Sequence, residues 1–326
     1  MRILVVRLSA LGDVVIGLHV LSTLRARLGS AHIGWLVEDR FAPLLENHPQ
    51  LDALHIYERR QIGQQGGYGR LWELIRALRD AHYDVVLDLQ GNMKSGVLTR
   101  LTGAPRRVGL APPLSGEGNG LFMTESLSVC GGHRIESYRD LVNQVLGPGE
   151  EAPAILPARS EAHDAVVFHP GVSAFGEFKR WPAKHFAGLG DRLAAALGRP
   201  IWLTAGPGER PQAEEVRDAM SADATIVEPP SLGDLVNTLA GARVVVAADT
   251  GPAHLAAATG VPTVTLYGPK DPSVLAPLGP RTRTVRADVR CSPCSLRSCP
   301  DPICMSELSV EQVADEVLDL LHEGDA

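Results

Sequence analysis

The sequence has few aromatic residues, no long hydrophobic run, no excess of positive charge and too few scattered cysteines for a disulfide framework. Aromatics make up 5% of the 326 residues, whereas Gly (33) and Pro (24) are plentiful, so many tight turns are expected. No run of 18 or more apolar residues occurs, so no spanning helix is expected. The apolar start, Met1 to Leu24, is broken by Arg7 and Asp13 and lacks the uninterrupted core and small-residue cleavage site of a secretion signal. The protein is therefore expected in the cytoplasm. A net charge of −7 and a pI near 5.9 argue against a nucleic-acid-coating surface and leave room only for local basic patches. Four of the five cysteines crowd between 291 and 304, unlike the dispersed pattern of a secreted scaffold. No GxGxxG follows the first apolar strand, which counts against a dehydrogenase.

What is present is alternation. At 326 residues the chain fits two domains of about 150 residues each. Short apolar runs at Ile3–Leu8, Ile33–Val37, Val85–Leu89, Ala165–His169, Ile201–Thr204, Val244–Ala248 and Thr263–Tyr267 read as strands. Helical periods separate them: Val14 to Leu28, Leu71 to Leu78, and the stretches 183–197, 209–220, 232–240 and 252–259. Strand and helix in repetition predict α/β domains with parallel sheets covered on both faces. The segment Gly147–Asp164, rich in proline and acidic residues and without periodicity, divides the chain into 1–155 and 156–326. Two loops, Gln61–Gly69 and Ala111–Gly120, are unusually rich in glycine. Ser309-x-x-Gln312 has capping-box spacing before a final helix carrying Val313, Val317 and Leu320.

Three stretches carry chemistry, and all stand at strand ends. Ser9-Ala10-Leu11-Gly12-Asp13 follows the first strand, at the edge where open α/β sheets bind ligands. Asp13 is either a first-turn carboxylate favoured by the helix dipole or a general base. Asp249-Thr250-Gly251-Pro252-Ala253-His254 follows Val244–Ala248, with proline where a first helical turn tolerates it. Its helix start is either an ordinary cap with a packed histidine or an anion site that suits a diphosphate. His169-Pro170-Gly171-Val172-Ser173 and then Lys179-Arg180-Trp181-Pro182 place two cations beyond a Gly-containing turn. A lysine there can stabilise charge on a departing diphosphate, and Arg180 reads equally well as a surface residue.

These stretches, with Arg2-Ile3-Leu4, Asp88-Leu89-Gln90-Gly91 and the block running on through Tyr267-Gly268-Pro269-Lys270-Asp271-Pro272, resemble glycosyltransferase family 9 in order from residue 1 to about 320. This is the family of ADP-heptose:lipopolysaccharide heptosyltransferases. The resemblance implies a GT-B fold of two Rossmann-like domains facing a cleft. The acceptor would lie on 1–155, the nucleotide sugar mainly on 156–326, and the last helix would pack back on the first domain. It implies Asp13 as catalytic base and Ser173, Lys179, Glu209, Asp249, Thr250, Gly251 and His254 as nucleotide-sugar residues. Gly12, Arg59 and Arg60 would serve the anionic acceptor. Two solvated arginines remain an equal reading of the last pair, with Asn92 and Lys94 weaker candidates of the same kind.

The implied reaction is a single displacement that inverts the anomeric carbon. Asp13 takes the acceptor proton while the nucleoside diphosphate leaves. No Asp-x-Asp occurs in the chain, so Lys179 and the helix start at Thr250–Gly251 are expected to replace a metal; no cofactor is implied. The partners implied are ADP-heptose and a lipid-linked, anionic lipopolysaccharide core, with peripheral contact at the inner membrane face. An epimerase, a non-catalytic nucleotide-sugar-binding protein and a transferase of another nucleotide sugar are the competing readings. Cys291, Cys294, Cys299 and Cys304 are compatible with a structural zinc, reduced thiols or a labile disulfide. Cys130 is expected in a core.

Overall fold

The computed structural model describes residues 1–61, 64, 67–154, 156–158, 161–294 and 296–325, with side chains except at 174, 175, 324 and 325. Parts of the Gln61–Gly69 loop and of the Gly147–Asp164 linker lie outside these residues. The chain divides into two compact units, Met1–Ile155 and Leu156–Ala326.

The first unit runs β1 (Arg2–Val6), α1 (Leu11–Arg27), β2 (His32–Glu38), β3 (Ala53–Tyr57), α2 (Gly67–Asp80), β4 (Val85–Asp88), α3 (Met93–Leu101), β5 (Arg106–Leu110), β6 (Glu125–Leu127) and α4 (Arg134–Leu146). Its six strands form one parallel sheet in the order β3-β2-β1-β4-β5-β6. Helix α1 is buried on every side through its middle, all eleven residues from Val14 to Leu24, with α4 packed alongside. Helix α2 carries only one apolar stripe, Leu74, Ile75 and Leu78, and lies over the sheet with its other faces in water. Each fully buried aliphatic side chain of this kind contributes roughly 1.5–3 kcal/mol.

The second unit runs β7 (Val166–His169), α5 (Ala183–Leu197), β8 (Ile201–Thr204), α6 (Arg210–Ala219), β9 (Ala224–Val227), α7 (Leu232–Ala240), β10 (Val244–Ala248), α8 (Gly251–Thr259), β11 (Thr263–Tyr267), α9 (Pro272–Leu275), β12 (Thr282–Arg286), α10 (Ile303–Ser306) and α11 (Val310–Asp325). The sheet order β12-β11-β10-β7-β8-β9, again wholly parallel, repeats the first when counted from the unit's own first strand. Its core includes Trp181, set edge-to-face on Phe186 with centroids 4.9 Å apart, its indole N–H donating to the Leu308 carbonyl. Helix α11 starts from the capping box read in the sequence. The Ser309 and Gln312 side chains each accept from the other's backbone N–H at 3.2 Å. The apolar face of this helix, Val313, Ala314, Val317, Leu320 and Leu321, is buried in the core of the second unit.

Every strand expected from an apolar run is present, although β1 stops at Val6 rather than Leu8. The strands β3, β5, β6, β9 and β12 carry no such run. All but β5 are edge strands, and every one of the five has partly exposed residues, so neither both-face burial nor clean alternation marks them. The expectation for Cys130 is corrected: it is exposed ahead of α4, its N–H bonded to Asp140.

Candidate active site

A sheet of this order reverses direction between its first and fourth strands, and the loops leaving those strands part to open a crevice at their carboxyl ends. In the first unit the reversal lies between β1 and β4, in the second between β7 and β10. Gly12 and Asp13 follow β1; Ser173 and Lys179 follow β7; Asp249, Thr250, Gly251 and His254 follow β10.

Asp13 occupies the third position of α1, and its Oδ2 lies 2.6 Å from Arg7 Nη2 and 3.4 Å from the Ala10 N–H. Both contacts use one oxygen; among the described residues Oδ1 accepts nothing. Burial works against the Arg7 charge, but Tyr138, Asp13 and Asp88 around it hold the guanidinium above its ordinary value. The N-cap of α1 is Ala10, which has no side-chain oxygen, so the first amides of the helix are left to other partners. Across the reversal, Gln90 Oε1 accepts from the N–H groups of Leu8 and Ser9, both at 3.0 Å, and so ties the loop after β4 to the loop after β1. Gly91 makes that turn at φ +72°, where a Cβ would meet the Leu114 carbonyl at 3.1 Å. Asp88 anchors the same turn. Its buried carboxylate accepts from the Gln90 and Gly91 amides, from Ser95 and from Asn119. Burial nevertheless raises its pKa.

The basic pair divides. Arg59 lies 3.7 Å from Glu38 Oε1, whereas Arg60 is exposed and no ion pair is described for it. Glu38, whose side chain is 1% exposed, also holds Lys94 at 2.6 Å and Arg40 at 3.1 Å. Three cations thus converge on one buried carboxylate at the end of β2, and Lys94 lies 5.4 Å from the Tyr57 ring. One negative charge cannot neutralise three positive ones, so the cluster keeps attraction for an anionic ligand. Sequence reading passed over Glu38, Arg40 and the role of Arg7. Their partners are distant in sequence or hidden in an apolar run, and only the fold brings them together.

In the second unit, Lys179 Nζ donates to Asp249 Oδ2 at 2.6 Å and reaches the Asp249 carbonyl at 3.3 Å. Of its three protons, one is left for a phosphate oxygen. Burial, and then the adjacent Asp249 charge, keeps the Tyr267 hydroxyl strongly un-ionised. Thr250 is the N-cap of α8, yet its hydroxyl donates to the Ala248 carbonyl at 3.1 Å and caps no amide. No side chain therefore caps the start of α8, two residues beyond the Asp249 carbonyl that Lys179 reaches. By contrast, α7 and α3 are capped by Ser231 and Asn92. His254 is buried in the first turn of α8, and Ser173 is exposed. Glu209 is the N-cap residue of α6, but its side chain turns back to the preceding loop, with Oε2 2.8 Å from the Gly206 N–H and 3.3 Å from His169 Nε2. Arg180 is bound to Glu177 and Glu215.

The four clustered cysteines are free, from exposed Cys291 to buried Cys304. Burial, and then the other three thiols, raises the Cys304 pKa. Among the described residues no group of three or more His, Cys, Asp or Glu side chains is placed to hold a metal ion.

Two Rossmann-like units with charged, uncapped helix starts at their reversals define a class: an α/β enzyme handling an anionic, nucleotide-like ligand. Residues 71–303 match the sequence profile of glycosyltransferase family 9 (heptosyltransferase), and the chain belongs to that family. It is 29% identical to lipopolysaccharide heptosyltransferase 1 of Pseudomonas aeruginosa, covering 97% of each chain. Identity to lipopolysaccharide heptosyltransferase 2 of Escherichia coli is 26%, over 88% of each. Among solved structures, the E. coli heptosyltransferase WaaC with ADP is similar at a TM-score of 0.83 and 25% identity, over 98% of this chain and all of that one. A family 9 glycosyltransferase of Veillonella parvula superposes at 0.84 with 22% identity, over 99% and 97%. The fold is GT-B, and the protein is a glycosyltransferase. Asp13, Arg59 and Arg60 precede the profile match but fall within the reach of the Pseudomonas relative.

Proposed function

We propose that this enzyme moves a heptose from ADP-heptose to the inner core of lipopolysaccharide, with inversion at the anomeric carbon. The observation that carries the reading is the second unit's reversal, where Lys179, held by Asp249, stands beside the uncapped start of α8. That pairing of a cation with free amides suits a diphosphate leaving group. Ser173, Thr250, Gly251 and His254 line the same loops, and Glu209 serves the nucleoside. Residues 1–155 bind the acceptor and 156–326 the donor. The names of the relatives and the ADP in the WaaC structure favour this donor and acceptor over other nucleotide sugars.

Asp13 removes the proton of the attacking hydroxyl through Oδ1 while Arg7 keeps Oδ2 fixed, so the base is oriented before the acceptor arrives. Gly12 leaves room beside it. Arg59, Arg60 and Lys94 attract the anionic core. As ADP departs, Lys179 and the Gly251 and Ala253 amides take up its charge without a metal ion. The lipid-linked acceptor brings an anionic bilayer to the first unit. Tyr68, Trp72, Met93 and Val97 are exposed on the neighbouring helices α2 and α3, amid Arg76 and Arg100, which suits peripheral contact from the cytoplasmic side. No described helix is long and apolar enough to cross a membrane.

The test is calorimetric titration with ADP, UDP and GDP in EDTA, followed by heptose transfer to truncated lipopolysaccharide. Selective ADP binding and transfer are expected. Preference for UDP or GDP overturns the donor, and binding without transfer to any acceptor overturns the enzyme reading.

A further inference from the structure

Helix α4 follows β6, so its first turn stands at the carboxyl edge of the first sheet, the edge that carries Asp13 and Gln90. It packs alongside α1, which starts at the same edge. One turn into α4, the buried Tyr138 hydroxyl donates to the Leu89 carbonyl at 3.2 Å. Arg7 Nη1 donates to that same carbonyl, and its Nη2 holds Asp13. Tyr138 therefore marks how near α4 comes to the candidate base. Arg134 lies four residues earlier on the same face, one turn closer to the edge, and helical side chains lean toward the helix start. Burial raises the Tyr138 pKa, and the charges acting on its hydroxyl are, in order, those of Arg7, Asp13, Arg134 and Asp88.

Arg134 is poorly placed for stability. It is half-buried, and its Nε is buried without a hydrogen-bond partner. Among the described residues its guanidinium pairs with no carboxylate. Asp13 Oδ2 is taken by Arg7, and Asp88 is engaged by Gln90, Gly91, Ser95 and Asn119. Glu136, two residues on, lies on another side of the helix and accepts from the His133 N–H at 3.2 Å. By contrast, Arg139 of the same helix is paired with Glu151 at 2.8 Å. Arg134 is also the first residue of α4, where the helix dipole favours an anion, and it shares its surroundings with the Arg7 cation. A cation at three such disadvantages gains most from a negative charge that arrives from outside.

We propose that Arg134 is an acceptor-binding residue: its guanidinium takes an acid group of the acceptor, carboxylate or phosphate, and so sets the attacking hydroxyl against Asp13. This rests on the proposed function, in which an anionic glycan is the acceptor. The role differs from that of the cluster on Glu38, whose three cations already share a carboxylate. The cluster attracts the ligand, whereas Arg134 fixes it beside the base.

The experiment is steady-state transfer to truncated lipopolysaccharide that is untreated, methyl-esterified at its carboxyls or stripped of phosphate by phosphatase. Arg134→Gln is expected to raise the KM for untreated acceptor about tenfold, with ADP affinity within about twofold of wild type. One of the two treatments is expected to weaken the wild-type protein about tenfold and to cost Arg134→Gln less than about threefold, which identifies the acid group. Arg134→Lys, which keeps the charge and loses the fork, falls between wild type and Arg134→Gln. The urea midpoint of Arg134→Gln is expected at or above that of wild type, because an unpaired cation leaves a helix start. A purely structural arginine would lower the midpoint and leave KM alone. An unchanged acceptor KM, or treatments that cost Arg134→Gln as much as wild type, overturns the proposal while wild-type transfer stands. Absence of wild-type transfer to any anionic acceptor overturns the proposed function, and the proposal with it.

Discussion

Arg7 and Asp13 meet at 2.6 Å at the start of α1, and the pair is lopsided: the guanidinium side chain is 8% exposed and the carboxylate 26%. The buried partner is fixed and the open one reaches solvent through an unused oxygen, the arrangement a base needs to meet a substrate hydroxyl. Asp13→Asn keeps the shape and removes the proposed base. Transfer is expected to fall about 10²–10⁴-fold while ADP affinity stays within about threefold. Single-turnover transfer alongside ADP calorimetry decides, and an Asn variant with normal turnover removes Asp13 from the chemistry.

Lys179 is ion-paired with Asp249, and the proposed function gives it a second job, contact with phosphate. Lys179→Ala is expected to weaken ADP about tenfold and to lower kcat as well, since a charge that grows as the diphosphate leaves is stabilised most in the transition state. The same assay run after exhaustive chelation is expected to keep its rate. A rate lost to EDTA and restored by one divalent ion places the leaving-group charge on a metal instead.

Glu38 gathers Arg40, Arg59 and Lys94 onto one carboxylate. Glu38→Gln frees all three to scatter, and the preorganised cationic surface is lost even though the net positive charge rises. KM for the anionic acceptor is expected to increase about five- to tenfold with donor affinity unchanged. Steady-state kinetics with each substrate varied in turn reads this directly, and an unchanged acceptor KM dissociates the cluster from the acceptor.

The sequence made the centre of each sheet legible because a central parallel strand is buried on both faces and must be apolar throughout, as Val244–Ala248 is. It left β9 and β12 unread because partly exposed outer strands tolerate polar residues such as Thr225 and Arg283. The residues at strand ends were legible as candidates because each stretch joins an apolar run to a helical period, as Asp249–His254 does. Glu38 and His169 were not. Each draws its meaning from groups tens of residues away, Lys94 and Glu209, that only the strand order brings near.

A buried histidine, His19, and a half-buried one, His55, are expected to make the first unit sensitive to acid. His19 Nδ1 accepts from the Ala154 N–H at 3.0 Å, and His55 Nε2 lies 2.7 Å from the Tyr83 hydroxyl. Burial, reinforced by Arg139 and His133, pushes His19 down to about 4, and burial with nearby His32 does the same to His55. Unfolded, each titrates near 6.5. Between 6.5 and 4 the unfolded chain takes up protons that the folded one refuses, so stability is full above that window and falls as pH drops through it. From pH 6.5 to 5, where carboxylates stay ionised, the loss is about 2 kcal/mol per histidine. The urea midpoint of the first unit is therefore expected to be lower at pH 5 than at pH 7.5. His19→Gln, whose amide oxygen can still accept from Ala154, should flatten that dependence by about half, and His19→Gln/His55→Phe should remove most of it. If the double variant keeps the full slope, the acid sensitivity belongs to other groups, and these two histidines are not what sets it.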